Sequence, residues 1–252
     1  MRRIAVTLDA LQVSAQALEQ AVRLAERMGA ELEGIFIEDI DLIEIAALPF
    51  VRELRPVSRS ENDIDLARME QELRALARRA ERLLSEQAER HNVTWSFRIW
   101  RGSIDSDLLA ADIGADVLAL SRLGAALTRS KAATGRSSAV TVLYSGSDAS
   151  HRVLDTAIKL ASDPQKELII LLHTDDEAEA GRLQEMATRQ LQETAAEAYF
   201  IRLTDGALAD LIEIMRQTHT AVLVIERDNK LLQTPSLKHC LDSLNCPLLI
   251  VR

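Results

Sequence analysis

The sequence predicts an α/β fold made of two tandem, doubly wound parallel-sheet domains, residues 1–138 and 139–252, and two observations predict it. The first is an internal repeat. Ser14, Leu18, Ala21, Leu24, Ala25, Glu31 and Leu32 recur without a gap, 136 positions later, as Ser150, Leu154, Ala157, Leu160, Ala161, Glu167 and Leu168. A constant offset makes residues equivalent one by one, so it shows which copy has kept a functional group. The second is the alternation of short apolar runs with stretches of helical period. Strands separated by helices run parallel, because the crossover returns the chain to the same end of the sheet.

In the first copy the apolar runs place strands at 3–8, 31–37, 95–100 and 117–120, with helices at 13–28, 65–90 and 104–113. The helix over 65–90 carries Leu66, Met69, Leu73, Leu76, Ala80 and Leu83 at three-and-four spacing, and charged residues fill the other positions. It packs one face on the sheet. In the second copy strands fall at 139–144, 167–172, 197–203, 221–226 and 247–251, and helices at 150–162, 178–195, 207–218 and 235–244. Gly102 and Gly206 each open a turn into the helix before the fourth strand. After that strand the copies part: the second adds a helix and a fifth strand, Pro247 to Val251, and the first has only Ser121 to Ser138 before the repeat restarts.

Composition narrows the function classes. The chain has 252 residues, 47% of them hydrophobic, enough for two cores of ordinary domain size. A net charge of −9 argues against nucleic acid and anionic membrane as partners, since both demand a surplus of Lys and Arg. No apolar run reaches the roughly 18–20 residues that cross a bilayer, and Met1-Arg2-Arg3 leads straight into a strand with no signal-peptide core. A cytoplasmic protein is expected. Cys240 and Cys246 lack metal-ligand spacing and are read as reduced thiols. His91, His151, His173, His219 and His239 are scattered, and no serine sits in a G-x-S-x-G elbow, so no catalytic constellation emerges. His173, at the end of the second copy's second strand, is read as a capping or half-buried histidine.

Ile4-Ala5-Val6-Thr7-Leu8-Asp9 followed by Ser14 and the Ala17–Ala25 helix, the Gly102–Leu120 stretch, and the closing Cys246-Pro247-Leu248-Leu249-Ile250-Val251 together resemble the universal stress protein family in a tandem form. The resemblance covers nearly the whole chain and implies a Rossmann-like, adenine nucleotide alpha hydrolase-like fold. It also implies a non-enzymatic stress-response or regulatory role and, for ATP-binding members, adenine held near an Asp at the end of the first strand. The phosphates are expected in a G-x2-G-x9-G-[ST] loop after the fourth strand, where glycines let backbone N–H groups approach the oxygens.

Carried onto this chain, the implied adenine-nucleotide (ATP or related) contacts are Asp9, Ile37, Ser121, Gly124, Gly135 and Ser137. The loop departs from the pattern: Ser121 stands at the first glycine, and one extra residue separates Gly124 from Gly135. From Val117 to Ser147 there is no Asp or Glu, while Arg122, Arg129, Lys131 and Arg136 all fall there. Two readings of that basic stretch stand, a phosphate site and a solvated linker. In the second copy Ser145 takes the place of Asp9, and Glu226-Arg227-Asp228-Asn229 replaces the loop, so this copy is expected to have lost the site.

Two other classes compete with a binding protein. Ser145-Gly146-Ser147-Asp148-Ala149-Ser150 resembles the SGGxDS loop of ATP pyrophosphatases, which would make the chain an ATP-using enzyme. A ligand-free assembly module is the other. Ile40, Leu42, Ile43, Ile45, Leu48 and Phe50 are too apolar for an open loop and must be covered, by their own sheet, the other copy or a second subunit. Because the first copy lacks a fifth strand, the edge Val117–Leu120 must also be covered, by part of 121–138 or by a second chain. The resemblance implies an internal pseudo-dimer; the open edge points to a homodimer.

Overall fold

The computed structural model describes residues 2–9, 15–38, 40, 52–54, 61–63, 66–102, 114–120, 138–162, 166–192, 194, 197–204, 208–229, 232 and 246–252. In the first half these form β1 (Arg3–Asp9), α1 (Ala15–Met28), β2 (Glu31–Glu38), β3 (Arg52–Leu54), β4 (Glu61–Asp63), α2 (Leu66–Arg90), β5 (Trp95–Arg101) and β6 (Val117–Leu120). The second half supplies β7 (Ser138–Tyr144), α3 (Asp148–Leu160), β8 (Lys166–His173), α4 (Glu177–Leu191), β9 (Ala198–Leu203), α5 (Leu208–Gln217), β10 (Thr220–Glu226) and β11 (Leu248–Val251). The helices expected at 104–113 and 235–244, and most of the apolar segment 40–50, lie outside the described residues.

One nine-stranded sheet runs through both halves in the order β5-β2-β1-β6-β11-β10-β7-β8-β9. The repeat reappears in its pairing. β1 meets β2 with Ile4 opposite Leu32, and β7 meets β8 with Val140 opposite Leu168, the same register at the same sequence offset. Within each half every pairing of this sheet is parallel. The only antiparallel pairing in this sheet joins β6 to β11, with Leu120 opposite Leu248 and Val117 opposite Val251. The halves therefore run in opposite directions, and the carboxyl ends of their strands, where ligands gather in such sheets, lie at opposite ends of the molecule.

The β6 edge is thus covered, but not as expected. Neither 121–138 nor a second chain is needed, because β11 of the same chain takes the place and all four of its residues are buried. The Arg252 N–H donates to the Asp116 carbonyl at 3.0 Å and Arg152 Nε donates to the Arg252 carbonyl at 2.9 Å, so β11 is tied into both halves. A single strand serves two half-sheets.

The core follows from this join. On one face Leu18, Val22 and Ala25 of α1, Ala77, Ala80, Leu84 and Ala88 of α2, and Val153, Leu154 and Ala157 of α3 pack in one cluster with strand residues of both halves. The buried stripe of α2 is rolled slightly from the one the sequence suggests. Ala77 and Leu84 are fully inside, whereas Leu73, Leu76 and Leu83 are half-buried, because the small alanines let the helix settle close to the sheet. α1 ends at Gly29 (φ 57°) and α2 near Asn92 (φ 52°), the left-handed residues that stop helices. On the opposite face Leu211 and Met215 of α5 pack on Leu223 and Ile225. The β3–β4 hairpin, which sequence reading missed, pairs antiparallel and stands outside the large sheet. Strands of three residues are too short for periodicity to reveal.

Candidate functional site

In a doubly wound sheet the ligand position lies beyond the carboxyl ends of the strands, where the chain order reverses. In the first half that point falls between β1 and β6, and the Thr7 hydroxyl donates to the Ala119 carbonyl across it at 3.3 Å. The row leading away from it is set by register. Asp9 lies opposite Ile37, and Ile37 lies opposite Trp100, so Asp9, Ile37 and Trp100 form one row across three adjacent strands near their carboxyl ends. Ile37 is buried and Trp100 half-buried. One position further on, the buried carboxylate of Glu38 accepts from Arg101 Nε at 3.1 Å and lies 3.0 Å from its Nη2, while the Gly102 N–H donates to the Glu38 carbonyl at 3.1 Å. This charged pair pins the ends of β2 and β5 together, and the row below it is held with them.

The second half shows the same place with different chemistry. Ser145 follows β7 at the position equivalent to Asp9, and the register of β10 on β7 makes Glu226 the equivalent of Ser121. Ser145 Oγ donates to Glu226 Oε1 at 3.1 Å and Ser147 Oγ donates to Glu226 Oε2 at 2.6 Å. Acid and hydroxyl have exchanged strands. Gly146 between the two serines has φ 77°, and a Cβ there would stand 2.5 Å from Leu183 Cδ2, so the turn is pressed onto α4. Ser147 also caps α3, accepting from the Ser150 N–H at 2.9 Å. Both Glu226 oxygens are thus engaged in the place where a phosphate would need positive or neutral donors. His173 is half-exposed at the position of Ile37, and Leu203 is buried at that of Trp100.

No family model and no curated protein matches this sequence. Solved structures do. A universal stress protein from Archaeoglobus fulgidus DSM 4304 superposes over 98% of this chain and 96% of its own, with a TM-score of 0.59 and 11% identity. The fold is that of the universal stress proteins. A shorter universal stress protein from Archaeoglobus fulgidus, solved in complex with dAMP, matches 46% of this chain and 97% of its own at 19% identity and a TM-score of 0.37.

Of the contacts implied for a universal stress protein, the structure brings Asp9 and Ile37 together; Ser121, Gly124, Gly135 and Ser137 lie outside the described residues. Sequence reasoning missed two features. The positions of Ser145 and Glu226 follow from the repeat, but the hydrogen bonds that join them do not. Nor does the place of Trp100, because β5 lies beyond the span in which the copies match residue by residue. Among the described residues there is no cluster of His, Cys, Asp and Glu that could hold a metal ion, and no helix is long and apolar enough to cross a membrane.

Behind the second mouth, a partly buried polar network joins β7, α3 and α4. The Tyr144 hydroxyl lies 3.1 Å from His151 Nδ1, and the rings meet edge to face at 5.5 Å. Gln190 Nε2 donates to the His151 carbonyl at 2.8 Å and to Asp155 Oδ1 at 2.5 Å, and its Oε1 lies 2.9 Å from His151 Nδ1. Burial pushes the Tyr144 phenol up to about 12, because the phenolate would lose its hydration. A phenol raised in the folded state stabilises the fold fully below its unfolded value near 10, and that contribution disappears as pH rises toward 12. Chemical denaturation is expected to show stability falling between pH 10 and 12, with a shallower fall in Tyr144→Phe; equal slopes would contradict it.

Proposed function

We propose that this chain is a non-enzymatic regulatory protein of the universal stress type that binds one adenine nucleotide per chain, in a first domain of residues 1–138. Residues 139–252 form a second domain whose own site is closed. The observation that carries this reading is the exchange at equivalent positions: Asp9 ends β1 beside Ile37, whereas its counterpart Ser145 is hydrogen-bonded to Glu226. A carboxylate in the phosphate position repels nucleotide. An aspartate on the first strand is free of that conflict, since a nucleobase offers N–H donors to it.

The pairing of β6 with β11 supports an internal pseudo-dimer, with the two domains of one chain taking the place of two subunits. It removes the open edge that argued for a homodimer. The pyrophosphatase reading of Ser145–Ser150 loses support from the same contacts, because Ser145 and Ser147 already serve Glu226 and the α3 cap. The cytoplasm is the compartment that fits a regulator of this kind.

The test is Asp9→Ala. Removing a partner of the bound base is expected to weaken adenine-nucleotide binding by about 1–3 kcal/mol, measured by calorimetry, with the fold intact by circular dichroism. Unchanged affinity would remove Asp9 from the site.

A further inference from the structure

Buried side-chain polar atoms without a hydrogen-bond partner are not spread over the described residues. They are Glu33 Oε2, Arg98 Nε and Nη2, and Trp100 Nε1, all on neighbouring strands β2 and β5. Glu33 and Arg98 offset one another as an ion pair at 2.9 Å, although the N–H does not point along the contact. The indole N–H of Trp100 has no such counterpart. A buried donor left unmet costs as much as a lost hydrogen bond, so its persistence in a folded protein calls for a partner that arrives from outside the chain.

Its position says what that partner is. Trp100 belongs to the row Asp9–Ile37–Trp100, and adjacent strands stand about 4.8 Å apart. Asp9 and Trp100 are therefore separated laterally by roughly 9–10 Å, the breadth of a purine with its flanking hydrogen bonds. The residue as a whole is half-buried, while Nε1 itself is covered. A Cβ on Gly102 would stand 2.7 Å from Nε1, and the turn leaving β5 thus has room for the indole only because it carries no side chain there. In the second half, where Glu226 closes the mouth, the equivalent position is the buried and wholly apolar Leu203. A donor stands in the half proposed to bind and is absent from the half in which Glu226 takes the phosphate position.

We propose that Trp100 is a ligand-contacting residue of the first domain, its indole N–H donating to an acceptor nitrogen of the adenine ring while Asp9 serves the opposite side of the base. This rests on the nucleotide reading above and adds a residue and a direction of approach to it. Trp95 and Trp100 are the two tryptophans of the chain, so the full-length protein labelled with 15N at the indole nitrogens gives two resonances, assigned with Trp100→Phe. On titration with AMP the Trp100 resonance is expected to shift downfield and that of Trp95 to stay. Trp100→Phe, which keeps an aromatic ring, is expected to bind AMP about 5- to 10-fold more weakly. Gly102→Ala, which displaces the indole but retains it, should weaken binding by a similar factor. If AMP binds the wild-type protein but the Trp100 resonance does not move and both variants bind as well as wild type, the inference is wrong and the nucleotide reading survives. If the wild-type protein does not bind AMP at millimolar concentration, both fall.

Discussion

Replacing Ile250 by Asp is expected to break the molecule at its centre. Ile250 sits in the middle of β11, 3% exposed, opposite Leu118 of β6 and beside Ile225 of β10. Among the described residues it packs in a cluster of apolar side chains, where an unpaired carboxylate costs about 3–5 kcal/mol. For a chain of this size that lowers the melting temperature by roughly 10 °C. Because β11 is the only strand among the described residues that bridges the half-sheets, the same change should let them separate, and limited proteolysis should yield two fragments where the wild-type protein gives little cleavage. Ile99→Asp is the control. Ile99 is 50% exposed on the edge strand β5, and its substitution is expected to cost under about 1 kcal/mol. Similar melting temperatures for the two variants would contradict the role given to β11.

The second large effect is expected at Gly34. It lies within β2, where glycine is ordinarily unfavourable, and a Cβ at that point would approach Leu84 Cδ2 to 2.6 Å and Phe97 Cδ2 to 3.2 Å. The position is glycine because α2 lies so close to the sheet. Gly34→Ala should destabilise by about 1–3 kcal/mol through overpacking, and Leu84→Ala by about 2–5 kcal/mol through the cavity it leaves. Together they should cost clearly less than the two single costs combined, since the new methyl occupies space that Leu84 vacates. Additive costs in a denaturant double-mutant cycle would mean that the two residues do not meet.

Much of this fold can be read from particular residues. The offset relating Ser14 to Ser150 predicts that Ile4–Leu32 and Val140–Leu168 are equivalent pairs, and the sheet registers agree. That information is local, since each half repeats strand, helix and strand within a few tens of residues. The destination of β11 is different in kind. Leu248–Val251 reads as a buried strand, yet nothing in four apolar residues says that β6 rather than another chain receives them. Pairing partners are chosen by which edges remain open after the halves fold. Trp100 was illegible for a related reason: its neighbour depends on how β5 registers against β2, and only then does an ordinary strand tryptophan fall in the row of Asp9 and Ile37. Glu226 lay between these cases. The sequence places Glu226-Arg227-Asp228-Asn229 where the resemblance expects a phosphate loop, while the two serine hydroxyls that hold the carboxylate in place appear only in the fold.

The proposed function predicts an asymmetry between the halves, a nucleotide site beside Asp9 and none where Ser145 and Ser147 hold Glu226. Calorimetric titration of the full chain with AMP tests it most directly. The expected result is a stoichiometry of one nucleotide per chain, with Ser145→Ala leaving the affinity of that site unchanged. Two equivalent sites per chain, or a single site lost on substitution of Ser145, would contradict it.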